Sequence, residues 1–154
     1  MGTYAVTGSA SGMGAAVVAR LRKAGHTVLT VDREEADVVA DLSTVDGRLR
    51  AATSVLDRCG GTLDGAVMAA GIGPASGRDR ARLIAQVNYC GVVELLEAWR
   101  PALAAADRAK VVASPATPRR RSRPCRSGRS ARCSRAIRIG RQGRCVATGV
   151  RLRR

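Results

Sequence analysis

The chain has 154 residues and a formal net charge of +15, from 27 Lys and Arg against 12 Asp and Glu, a length that allows one domain with a sizeable core. The charge is uneven: residues 1–113 hold all twelve acids with thirteen bases, and residues 114–154 hold fourteen arginines and no acid. There is no apolar run of about 18 residues to span a membrane and no charged-then-apolar leader, and Cys59, Cys90, Cys125, Cys133 and Cys145 show neither a CxxC pair nor metal-ligand spacing, so the expectation is a cytoplasmic protein with free thiols, no metal and no membrane partner.

Residues 2–6, GTYAV, read as a buried strand, and residues 15–21 as a helix with an apolar face. Between them Gly8, Gly12 and Gly14 form a Gly-x-x-x-Gly-x-Gly turn. Glycine lets the backbone turn sharply and approach a ligand closely. Gly8, Ser11, Gly12, Met13 and Gly14 are therefore expected to cradle a pyrophosphate at the free N–H groups of the helix start. A glycine turn alone also joins strands to helices in proteins that bind nothing, so the context must decide.

Lys23, Ala24, Gly25 and His26 make a helix stop, with His26 expected on a solvated loop. Residues 27–31 form a second strand closed by Asp32, 24 residues after Gly8, near the spacing at which an acid accepts hydrogen bonds from the adenosine ribose. That carboxylate repels a 2′-phosphate, so NAD is expected over NADP, with Arg33 softening the preference.

Residues 36–42 read as a third strand, and Ser43 or Thr44 can cap a helix through Arg48, Leu49, Ala52, Val55 and Leu56 that stops at Gly60 and Gly61. Residues 63–71, LDGAVMAAG, read as a fourth strand ending in small residues, where backbone passes close to a ligand. A helical pattern from Asp79 to Ala106 places Leu83, Ile84, Val87, Val92, Leu95, Leu96, Trp99 and Leu103 on one broad face expected to pack on the sheet, with Pro101 predicting a kink near Arg100. Residues 110–113 begin a fifth strand. This alternation predicts an α/β fold, a Rossmann-type doubly wound parallel sheet.

In order along residues 1–113 stand Thr7-Gly8-x-x-x-Gly12-x-Gly14, Asp32, Asp41-Leu42, Ala69-Ala70-Gly71 and Asn88. That set resembles the N-terminal half of a short-chain dehydrogenase/reductase. The segments VDREEADVVADLSTVDGR, LDGAVMAAGIGP and VNYCG look most like its bacterial 3α-hydroxysteroid dehydrogenase/carbonyl reductase branch. The resemblance implies that Asp41 and Leu42 contact the adenine, that Ala70 and Gly71 line the cofactor channel, and that Asn88 holds a water in a proton relay. It also implies an alcohol or ketone substrate. The family's acid is a Tyr-x-x-x-Lys pair assisted by a serine. Here the tyrosines are Tyr4 and Tyr89, the lysines are Lys23 and Lys110, and no Tyr-x-x-x-Lys occurs. Ser114 alone stands near the serine's place.

From Ser114 to Arg154 hydrophobic periodicity vanishes and arginine, proline, serine and glycine dominate. Three explanations compete: a basic tail that binds nucleic acid, a disordered linker, or a change of reading frame within the fifth strand. A nucleic-acid tail more often carries aromatic stacking residues, and this one has none. Codon arithmetic favours the third. With GCG TCG CCA GCA ACT CCG CGA CGA CGG chosen for residues 113–121, an overlapping frame reads VASNSATT, which looks like the family after its fifth strand.

The expectation is thus an NAD-binding half, residues 1–113, of a truncated alcohol/ketone oxidoreductase, followed by a frameshifted, disordered tail, and without turnover. A non-catalytic NAD-binding protein is the alternative, and a nucleic-acid-binding protein a weaker one. The fifth strand would be an exposed edge, with poor solubility and no native-like oligomer.

Overall fold

The computed structural model describes residues 1–73 and 77–114; the arginine-rich tail lies outside the described residues. Short β-branched segments and amphipathic helices alternate, and each kind buries its apolar side on the other. Strand β1 (Thr3–Thr7) leads to α1 (Gly12–Lys23), β2 (Thr27–Asp32), β3 (Val38–Val39), α2 (Val45–Arg58) and β4 (Gly65–Met68). Helix α3 (Arg78–Ala85), a π-helical turn (Gln86–Cys90) and α4 (Gly91–Ala104) then precede β5 (Lys110–Ala113). Every neighbouring pair is parallel, in the order β3-β2-β1-β4-β5. This is the doubly wound sheet that the alternation predicts. The order reverses at β1, so a crevice opens beyond the carboxyl ends of β1 and β4.

The two-residue period of a strand sends Ala5 to one face and Val6 to the other. On the first face Ala5, Leu29, Val31, Ala66 and Met68 pack with Ala51, Ala52 and Val55 of α2 and with Leu95, Trp99 and Leu103 of α4. Trp99 is fully buried, and its indole N–H donates to the Ala52 carbonyl at 3.2 Å, which satisfies its one polar group. On the opposite face Val6 and Val28 meet Val18 of α1.

The structure corrects several sequence expectations. The third strand shrinks from residues 36–42 to Val38–Val39, because Asp37 leaves the ladder. Its N–H donates to the Thr30 hydroxyl at 2.8 Å and its carboxylate accepts from the same hydroxyl at 2.6 Å. The fourth strand is Gly65–Met68, not residues 63–71. At its ends Leu63 N–H turns to the Ala102 carbonyl and Ala70 N–H to a side chain, the Thr7 hydroxyl.

The long helix breaks at Gln86–Cys90, not at Pro101, which lies inside α4. An extra residue in a π turn rotates the apolar stripe by about 100°. Leu95, Trp99 and Leu103 consequently enter the core, whereas Leu83 and Val87 border the crevice instead of packing on the sheet. His26 is half-buried rather than solvated: its ring meets Tyr4 edge-on at 4.8 Å, and its Nδ1 accepts from Gly2 N–H. In α2 the burial is inverted, with Arg48 inside and Leu49 exposed.

Candidate functional site

Beyond β1 the chain makes the glycine turn, and its geometry explains the residues. Gly8 has φ +69°, and a Cβ there would lie 2.6 Å from the Ala70 nitrogen. A Cβ on Gly14 would lie 1.9 Å from the Gly8 carbonyl oxygen. Both positions therefore exclude a side chain. Gly12, with φ +56°, differs, since a Cβ there would meet nothing within 4 Å. The turn is tight beneath and open above.

The open side is the wall of a cleft of about 510 Å³, within the range of small-ligand sites. Gly8, Ser11, Gly12 and Met13 form its β1 side, and Asp32 and Arg33 its β2 end. Asp41 and Leu42 close a third side, and Ala70 and Gly71 the fourth. Gly14 does not border the cleft; it lies buried under the turn. Val31, Ala40, Ser43, Ala69, Ile72, Leu83 and Val87 complete the lining. Sequence reasoning named Leu83 and Val87 only as sheet-packing residues, because the π turn that redirects them leaves no hydrophobic signal.

The electrostatics of the two helix starts differ. Helix α2 has Thr44 as its N-cap, whose hydroxyl accepts from Gly47 N–H at 3.0 Å, and Asp46 in its first turn. Of the two capping candidates, Thr44 is the one that caps. Helix α1 has no side-chain cap bond from Ser11 and no acid in its first turn. Its first N–H groups are thus left for another acceptor. Ser9 Oγ, in the same turn, is a buried side-chain oxygen without a hydrogen-bond partner among the described residues.

Asp32 takes Ala10 N–H on Oδ2 at 2.9 Å and Arg33 N–H on Oδ1 at 2.7 Å, which fixes the carboxylate at the cleft mouth. Asp41 accepts Ser43 N–H at 2.9 Å, and that bond, followed by the Ser43 hydroxyl, holds its carboxyl below the usual aspartate range. Asp41 is accordingly anionic at neutral pH.

Asn88 does not border the cleft. Its side-chain oxygen accepts Ile72 N–H at 2.9 Å and its amide donates to the Ile72 carbonyl at 3.0 Å, so the side chain clamps one backbone residue. Ser114 follows β5, where its N–H donates to the Met68 carbonyl and extends the pairing with β4. Arg48, read from sequence only as a helix residue, is 4% exposed and binds Glu94, Leu42 and Gln86. Among the described residues no group of His, Cys, Asp and Glu could hold a metal ion, Cys59 and Cys90 are free thiols, and no helix is long and apolar enough to cross a membrane.

Comparison with known proteins adds to this geometry. The model of the NAD dependent epimerase/dehydratase family matches residues 4–117. A 3-alpha-hydroxysteroid dehydrogenase/carbonyl reductase of Comamonas testosteroni is 41% identical over 103 residues, 67% of this chain and 39% of that protein. The crystal structure of a 3-alpha-hydroxysteroid dehydrogenase from Pseudomonas sp. B-0831, complexed with NADH, superposes with a TM-score of 0.67 at 49% identity, over 71% of this chain and 43% of that one. A short-chain dehydrogenase/reductase of Brucella ovis gives 0.64 at 26% identity, over 71% and 59% of the two chains. The chain spans about two-fifths of the length of the curated relative it matches.

Proposed function

The chain belongs to the NAD dependent epimerase/dehydratase family, as a protein of short-chain dehydrogenase/reductase type, and on that premise we propose that residues 1–113 hold NAD for alcohol/ketone oxidoreduction. One observation carries the reading. The uncapped start of α1 opens on a cleft of about 510 Å³, while α2 in the same molecule has both a cap and an acid. A pyrophosphate supplies the missing acceptor.

The residues present fit the rest of a dinucleotide. Open space above Gly12 would admit the phosphates, and Asp32, on the lining of the cleft, would accept from ribose hydroxyls. Its charge disfavours a 2′-phosphate, which supports NAD over NADP. Asp41 and Leu42 would border the adenine, and Ala70 and Gly71 the far half. When bound, the dinucleotide supplies a hydride acceptor. The parent reaction we infer is reversible oxidation of a secondary alcohol, with hydroxysteroids as the substrate class, in keeping with the relatives' names.

The 154 residues contain no Tyr-x-x-x-Lys, so we infer binding without turnover for the chain as it stands, and a change of reading frame near residue 113 as the origin of the tail. The test is thermal unfolding of the full chain with NAD. Ligand at about a hundredfold over Kd adds about 2.7 kcal/mol. Asp32→Ala should lose most of that shift, and NADP should give less than NAD. No shift at millimolar NAD would refute the reading.

A further inference from the structure

Arg48 joins the two sides of the cleft from behind. Its Nε donates to Glu94 of α4 at 2.6 Å, and Nη1 donates both to the Leu42 carbonyl at 3.1 Å and to Gln86 Oε1 at 3.0 Å. Leu42 forms one wall of the cleft. Gln86 opens the π-helical turn, and two residues later Asn88 of that turn clamps both backbone groups of Ile72, which forms another wall. Just past the turn Gly91, the first residue of α4, faces Leu42: a Cβ there would make ordinary contact with the Leu42 Cβ at 3.5 Å.

We propose that Arg48 is a positioning residue, which through Leu42 and Gln86 sets the Asp41–Leu42 wall against the π turn and hence against Ile72. Fastening α2 to α4 does not require it, since Trp99, Leu95 and Val55 already do so without burying a charge. Taking a guanidinium out of water is costly and is offset only by good acceptors. One of these is a half-exposed carboxylate, Glu94, and the other two lead to the cleft. A lysine could pair with Glu94 but lacks the planar fork that reaches all three.

The ligand part of this proposal rests on the dinucleotide reading; the backbone part does not. The test uses the full chain with Gln86→Met, Gln86→Glu and Arg48→Lys, following amide hydrogen exchange at Ile72 against Ala5 and Val31 of the sheet, together with NAD titration. Gln86→Met and Arg48→Lys should speed Ile72 exchange about tenfold and weaken NAD about fivefold, with Ala5 and Val31 unchanged. Gln86→Glu keeps an oxygen for Nη1 and should restore both. Unchanged Ile72 exchange, or exchange that rises equally at Ala5 and Val31, would overturn the proposal. Should the unaltered chain bind no NAD, the cofactor reading fails while the Ile72 exchange still decides the role of Arg48. Should Arg48→Lys not fold, the Gln86 pair decides it.

Discussion

The Thr7 hydroxyl accepts the Ala70 N–H at 3.2 Å and ties the end of β1 to the end of β4 where the glycine turn begins. Thr7 is 1% exposed, so the bond is made away from water. Thr7→Val keeps the shape and leaves the Ala70 N–H without an acceptor, an expected loss of about 1–3 kcal/mol. Thr7→Ser keeps the hydroxyl and gives up one methyl, about 1 kcal/mol. Urea unfolding of both variants checks this. A larger loss for the serine variant would show that packing, not the hydrogen bond, fixes this corner.

The three glycines of the turn should respond differently to alanine. At Gly8 and Gly14 a Cβ would strike backbone, so Gly8→Ala and Gly14→Ala should disrupt the turn and lower stability by several kcal/mol, roughly the range of overpacking with strain. At Gly12 the Cβ meets nothing, and only the positive φ resists it, about 1 kcal/mol. Gly12→Ala should therefore remain folded yet weaken NAD, because its methyl group occupies the space given to phosphate. Paired unfolding and NAD titration curves separate the two classes.

Much of this corner was legible in the sequence, and the reasons are local. A glycine turn between a strand and a helix, and an acid at the end of the next strand, are set by neighbours in the chain. Arg48 was not legible. Hydrophobic periodicity reports burial driven by apolar surface, whereas Arg48 is buried by acceptors at Leu42, Gln86 and Glu94, the farthest of them 46 residues away. The π turn was hidden for a related reason: Gln86–Cys90 contains neither glycine nor proline, and the break shows only in which residues, Leu83 or Leu95, reach the core. Asp37 shortened β3 through a side-chain bond to Thr30 that a strand pattern does not encode.

Acid should destabilise the fold partly through Asp37. The Thr30 hydroxyl bond is the largest cause holding its carboxyl below the ordinary aspartate value; the Thr30 N–H, Arg22 and Arg58 act in the same direction, and burial opposes them. Asp41 is shifted the same way by Ser43. A carboxyl whose pKa is lower in the folded state contributes fully above its unfolded pKa and loses that contribution as pH falls through the folded value. Unfolding free energy should accordingly decline from about pH 5 downward. Asp37→Asn should be less stable at neutral pH and show a flatter decline. An equally steep profile in the variant would place the acid sensitivity elsewhere.

The pairing of β5 with β4 runs through Ala113 and continues at Ser114 N–H, so the parallel sheet is regular up to the residue at which hydrophobic periodicity ends in the sequence. A purified chain of these 154 residues should bind NAD and form no NADH from secondary alcohols, since it has no tyrosine with a lysine four residues on to take the alcohol proton. Sequencing the DNA across codons 110–116 should reveal a one-base insertion or deletion. Reversing it should bring a Tyr-x-x-x-Lys into the downstream chain and, with it, NAD-dependent turnover of a secondary alcohol. Turnover by the unaltered chain, or an uninterrupted gene in which no single-base change restores that pair, would refute this account of the tail.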